Sequence, residues 1–194
     1  MKPRELLDFL AIIEKLKCNT RHSWTSSGRP ESVAEHSWRL AVMALLTADE
    51  FPDADINKLI KMCLIHDFGE AITGDIPAFL KTPQHEEEER AAVESLLDGL
   101  PPETSCGLKA LFKEMDEKQT LEAQIFKGLD NLEALISHNE AALDTWTQQE
   151  HSLNLTYGDE NVQFSPYLKN LRDIIRQDSM DKLAQSLTCT HPPV

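Results

Sequence analysis

The chain lacks most of the signatures by which enzymes are first sorted. It carries no Rossmann or P-loop glycine fingerprint, so no glycine-rich cradle awaits a nucleotide phosphate, and no GxSxG elbow presents a nucleophilic serine. Its four cysteines, Cys18, Cys63, Cys106 and Cys189, stand far apart with no CxxC pair, which argues against a disulfide framework or a cysteine zinc site. Long apolar runs are missing too: none approaches the roughly 20 residues of a membrane span. The opening MKPRELLDFL is amphipathic and contains acids, unlike a signal peptide, so a cytoplasmic location is expected. Basic charge is scarce. With 19 Lys and Arg against 33 Asp and Glu the net charge is −14, a surface that repels polynucleotides. A small anionic ligand stays compatible where a local cluster outweighs that field, and Arg21, Arg29 and Arg39 supply one candidate cluster.

What is present is helical periodicity. Leu6, Phe9, Leu10, Ile13 and Leu16 follow helical spacing behind Pro3, a residue suited to a helix start. The Ser-, Thr-, Gly- and Pro-containing CNTRHSWTSSGRPE that follows reads as a loop. Ser32 and Glu35 then form a capping box for a helix expected to run to Asp49. Further helices are expected from Asp55, with Ile56, Leu59, Ile60 and Leu64 inward, through the HEEEERAAVESLLDGL stretch with its acids facing water, over LKALFKEM, and from Thr120 along Leu121, Ile125, Leu129, Leu132 and Ile136. Residues 152–165 read as a second loop before a last helix at Pro166. No alternating strand pattern or internal repeat occurs. The expectation is a single all-α domain over residues 1–187, an irregular bundle of about six to eight helices, with a frayed tail at 188–194.

The chemistry-bearing residues are few. His66 and Asp67 are adjacent and end an apolar run, IKMCLIHDFGE. Asp at a helix C-terminus opposes the helix dipole, so a compensating cation is implied, and imidazole with carboxylate suits a divalent metal. His36 lies in the first turn after the capping box, where the positive helix end favours neutral imidazole, the form that ligates metal. Asp130 stands mid-helix between Leu129 and Leu132, where Asp is a poor helix former. Four donors from three helices match how bundles build metal sites. Glu70 and Asp75 follow the doublet, between Gly69 and Gly74 and just past it, as candidate acid/base carboxylates.

Three ordered blocks, RPESVAEHSWRLAVMA, LIHDFGEAITGDIP and KGLDNLEAL, resemble the HD-domain superfamily of metal-dependent phosphohydrolases, and within it the YfbR-type 5′-deoxynucleotidase branch. The resemblance implies a helical HD fold, commonly a homodimer, that hydrolyses nucleoside 5′-monophosphates with one divalent ion per chain: manganese, cobalt, iron, nickel or magnesium. Carried over by position, His36, His66, Asp67 and Asp130 are the metal ligands. Glu70 is the acid/base residue, Asp75 a catalytic or substrate-contacting carboxylate, and Arg21 the phosphate-binding residue. The family pattern has Trp directly after that Arg, where this chain has His22; Trp24 is the nearest indole and the candidate substitute, so the sugar preference is left open. Two other readings share the fold: a phosphodiesterase or di-iron oxygenase, which needs further histidines where only His85 stands, and a non-enzymatic ligand-binding or dimerisation module.

Overall fold

The computed structural model describes residues 1–188, and side chains as far as residue 185. The tail expected to fray begins at the last of these, and the rest of it lies outside the described residues. Among them the chain is helical apart from one small hairpin, in the order α1 (Pro3–Ile13), β1 (Thr20–Trp24), β2 (Pro30–Ser32), α2 (Val33–Leu46), α3 (Ile56–Ile65), α4 (Glu70–Thr73), α5 (Pro83–Asp98), α6 (Pro102–Glu117), α7 (Leu121–Glu140), α8 (Gln148–Thr156) and α9 (Pro166–Thr188). Short 3-10 turns follow α1, α2, α7 and α8.

Three local expectations are corrected. The segment read as a loop after α1 pairs with itself as the two-stranded hairpin, with Gly28 at φ 83° in its turn. Its strands are too short to show alternation, and Gly with Pro30 masked them. The second expected loop, 152–165, overlaps the C-terminal half of α8, whose capping box, Thr147 with Glu150, lies just before it in a polar stretch. Leu64 points outward at 46% exposure, whereas Met62 and Cys63 are fully buried in its place.

The described residues form two compact units: residues 1–22 with 31–126, and residues 23–30 with the chain from 127 onward. In the first, the Ser32 cap works as expected: Glu35 N–H donates to Ser32 Oγ at 3.3 Å, and Ser32 N–H to Glu35 Oε2 at 2.9 Å. This fixes where α2 begins, and therefore where His36 points. α2 packs along α3, and Leu40 on the one with Leu59 and Met62 on the other are fully buried. Each contributes about 1.5–3 kcal/mol by leaving water. Leu16, Val33 and Ala71 form a cluster with Ile12, Ile13, Ala34 and Phe68, seating the α3–α4 corner against the end of α1 and the start of α2. Asn19 Nδ2 donates to the Glu70 carbonyl, tying the start of α4 to the segment before β1.

The second unit is organised around Arg172, which is 1% exposed on α9. Its guanidinium donates to the carbonyls of Tyr157 (3.2 Å) and Asn154 (3.1 Å) and pairs with Asp159 at 2.9 Å. His138 and Asn154 meet at 3.1 Å, and Trp146 Nε1 donates to the His138 carbonyl at 2.9 Å.

Candidate metal centre

The site begins with the end of α3. His66 is the C-cap residue, and its Nδ1 lies 2.9 Å from the Cys63 carbonyl, which can only accept. A proton on Nδ1 answers that carbonyl, so Nε2 is the nitrogen turned toward the neighbouring acid. That Nε2 is 3.0 Å from Asp67 Oδ2, and His36 Nε2 approaches the same oxygen at 4.0 Å. His36 is 1% exposed, a buried side chain although it lies in the first turn of its helix. The two imidazoles meet edge to face at 5.2 Å between centroids, and Phe126 flanks His66 at 5.3 Å.

One ligand atom from each of His36, His66 and Asp67 lies within 4.8 Å of the others. Two imidazoles and one carboxylate, converging, one buried and two half-buried, with one ring held at Nδ1 by a backbone carbonyl, fit a divalent cation of borderline hardness. Burial alone would raise the Asp67 carboxyl, but His66, His36 and Arg21 outweigh it and hold it down at about 2. Asp67 is thus an anion ready to ligate.

Glu70 opens the helical turn α4 and does not lie in a loop, as its glycine neighbours had suggested. It is 5% exposed, and its Oε2 has no hydrogen-bond partner among the described residues. Burial, followed by the charges of Asp67, Asp75 and Glu89, pushes its carboxyl up to about 10. Asp75 is half-buried beyond Gly74, whose φ of 76° turns the chain there. Its carboxyl is also raised, by burial and by Asp67, against the pull of Arg21.

Arg21 sits on β1, 3.8 Å from the buried Glu31 carboxylate on β2, so the hairpin aims it. Its charge acts on Asp67, Glu70 and Asp75 together. Arg29, by contrast, is exposed and donates to the neighbouring Pro30 carbonyl. His22 stacks edge to face on Phe79 at 5.7 Å.

Asp130 and Trp24 belong to the second unit. Asp130 is half-buried on α7, its Oδ2 2.8 Å from Lys127 Nζ, and Trp24 is half-buried at the end of β1.

Two residues of the site were not foreseen. Glu89 was read as one of several acids facing water. Instead, ligand atoms of Asp67, Glu70 and Glu89 lie within 4.8 Å of one another, and Lys81 pairs with Glu89. The signal was available: Glu89 is four and eight residues before the buried Val93 and Leu97, on the apolar stripe of α5. Lys81, in the turn before α5, carried no such signal. No histidine besides His36 and His66 joins either cluster among the described residues.

These features meet relatives of known kind. A family model described as HD domain matches residues 13–172. The 5′-deoxynucleotidase HDDC2 of Bos taurus is 35% identical over 141 residues, 71% of this chain and 68% of that protein. The protein of the same name from Dictyostelium discoideum is 31% identical over 157 residues, covering 76% and 80%. Among solved structures, a predicted metal-dependent phosphohydrolase from Magnetospirillum magnetotacticum MS-1 aligns with a TM-score of 0.79 at 28% identity, over 92% of this chain and 93% of that one. The cyanophage S-2L HD phosphohydrolase DatZ, solved with dA and one catalytic zinc ion, shares the fold at a TM-score of 0.56 and 17% identity, over 97% of each chain.

Proposed function

From the premise that the chain belongs to the HD-domain family, we propose that it is a metal-dependent phosphomonoesterase that removes the 5′-phosphate from nucleoside monophosphates, deoxyribose forms included. The observation that carries this reading is the convergence of His36 Nε2, His66 Nε2 and Asp67 Oδ2, with the His66 ring oriented by the Cys63 carbonyl. Asp130, four residues after Phe126 on α7, is the proposed fourth ligand. A divalent cation bound there supplies Lewis acidity toward a phosphoryl oxygen and toward water.

The chain's own residues do the rest. Arg21 binds and neutralises the phosphate through its fork of donors. Glu70, a carboxyl that holds its proton at neutral pH beside the other acids, delivers that proton to the leaving 5′-oxygen. Asp75, drawn toward Arg21 by charge, orients that guanidinium and contacts the sugar end of the substrate. The His22–Phe79 pair, with Trp24, is the proposed determinant of sugar preference. A homodimer in the cytoplasm completes the proposal.

The test is phosphate release by metal-stripped protein with manganese, cobalt, iron, nickel or magnesium added back, on paired deoxyribose and ribose 5′-monophosphates. Metal-restored release is expected, and a preference for the deoxy member would assign the branch. Absence of release from every nucleotide, with metal bound, would refute the activity.

A further inference from the structure

The helix that carries His36 has a second apolar face. Trp38, Val42, Leu45 and Leu46 recur on α2 at i, i+4, i+7 and i+8, one stripe of a helix surface. Trp38 is 64% exposed, Leu45 58% and Leu46 77%, with Val42 half-buried between them. A stripe of this spacing ordinarily faces a core. Here the core lies on the opposite side of the helix, where Val33, His36, Leu40 and Ala44 are buried. Trp38, two residues after His36, therefore stands on the side of α2 turned away from that histidine.

Area and charge say what covers it. The exposed parts of Trp38, Leu45 and Leu46 add up to on the order of 400 Å² of apolar surface, the size at which a patch marks an interaction site. A standard interface buries about 800 Å² per partner, so the stripe is the apolar centre of one, with a polar rim completing it. From Ser37 to Ala48 the only charged residue is Arg39, near the start of the stripe, and the exposed acids Asp49 and Glu50 lie just past its end. A second copy crossing antiparallel about a two-fold axis brings the Arg39 end of each stripe to the Asp49 and Glu50 end of the other. Elsewhere two chains of net charge −14 repel, and an anionic membrane would be repelled likewise. The exposed leucines of α1, Leu6, Leu7 and Leu10, make a poorer candidate, because the exposed Arg4 and Asp8 pair among them.

We propose that the Trp38–Leu46 face of α2 packs against the same face of a second copy of this chain. With the two-fold axis near Val42, Trp38 of one copy covers Leu46 of the other, and the contact is made twice. Arg39 then reaches the acids one turn further along the partner helix. This names the contact surface of the homodimer proposed above and rests on that part of the reading alone, not on the metal centre or the phosphatase activity.

The experiment is sedimentation of the full-length protein across micromolar concentrations, with circular dichroism as the check on folding. Wild type is expected to sediment as a dimer. Leu46→Glu alters a side chain that packs little within its own chain and sets two buried charges in the contact, so the dimer is expected to weaken by about a hundredfold or more with the helical spectrum unchanged. Trp38→Ala is expected to weaken it by about tenfold or more. Arg39→Glu should weaken it too, and Arg39→Glu combined with Asp49→Arg should restore it, which a crossing in the other sense would not do. Leu7→Glu, on α1, should leave the dimer intact. A dimer that survives both Leu46→Glu and Trp38→Ala, or that Leu7→Glu breaks instead, would overturn the surface while the homodimer stands. If Leu46→Glu does not fold, a dimer that Trp38→Ala leaves unchanged overturns the surface instead. A wild type that stays monomeric throughout overturns the surface and the homodimer together, and phosphate release measured on that monomer still decides the activity separately.

Discussion

Gly69→Ala tests whether the α5 contact on the metal-site corner is as rigid as the distances imply. Gly69 has ordinary helical dihedrals, φ −57° and ψ −35°, so alanine fits the backbone there. On that ground alone the change would stabilise by about 0.4–1 kcal/mol, through a less flexible unfolded chain. The new methyl, however, meets Glu89 Cγ at 2.8 Å, the Glu89 carbonyl oxygen at 3.0 Å and Val93 Cγ2 at 3.0 Å. Two of these neighbours cannot swing away, because one is backbone and the other a β-branched side chain on a buried stripe. Overpacking of this kind costs about 1–3 kcal/mol, so the net expectation is a loss of roughly 1–2 kcal/mol. For a chain of this size that is a fall in melting temperature of about 2–8 °C. Gly107→Ala supplies the control, since nothing lies within 4 Å of a Cβ there and the position is an exposed helix interior. There the same substitution should stabilise by about 0.5–1 kcal/mol. Thermal unfolding of both variants in metal-free buffer decides the matter. A Gly69→Ala protein that melts at or above the wild-type temperature would show that α5 yields freely, and the account of Glu89's placement would fail with it.

In the metal-free protein Glu70 gives a pH dependence of definite sign. The folded carboxyl keeps its proton up to about 10, against an ordinary value of 4.5, so folding binds a proton and stability falls as pH rises between those values. Glu70→Gln should flatten that slope and match or exceed wild-type stability at pH 8, while turnover drops by about a hundredfold or more. A steeper slope in the variant, measured by denaturation across pH, would contradict the assignment. In the second unit, Arg172→Met should cost about 2–4 kcal/mol, because it strips the Tyr157 and Asn154 carbonyls of their donor and leaves Asp159 short of a partner. A loss below about 1 kcal/mol in urea titration would show that water replaces the guanidinium.

The difference between what could and could not be read in the sequence has a physical origin. Ser32, Glu35 and His36 were legible because a capping box is a local device: the residues that make the contact lie three apart, and the first turn of the helix follows from them. His66 and Asp67 were legible because an acid at the end of an apolar helix is a cost with no local remedy. Glu89 was not, because its neighbours in sequence are glutamates that face water, and only the helical phase shared with Val93 and Leu97 separates it from them. Charge composition averages over both faces of a helix, while a site uses one. The hairpin was hidden for the opposite reason. Its strands are five and three residues long, too short for a period of two to declare itself, yet they hold Arg21 against Glu31. Lys81 lies beyond either signal, since it enters the site by tertiary approach of a turn. A reader of sequence therefore recovers candidate donors that sit on regular elements. The charges that tune those side chains arrive from elsewhere in the fold: Glu89, an acid that pushes the Glu70 carboxyl up, and Lys81, the cation that pairs with Glu89.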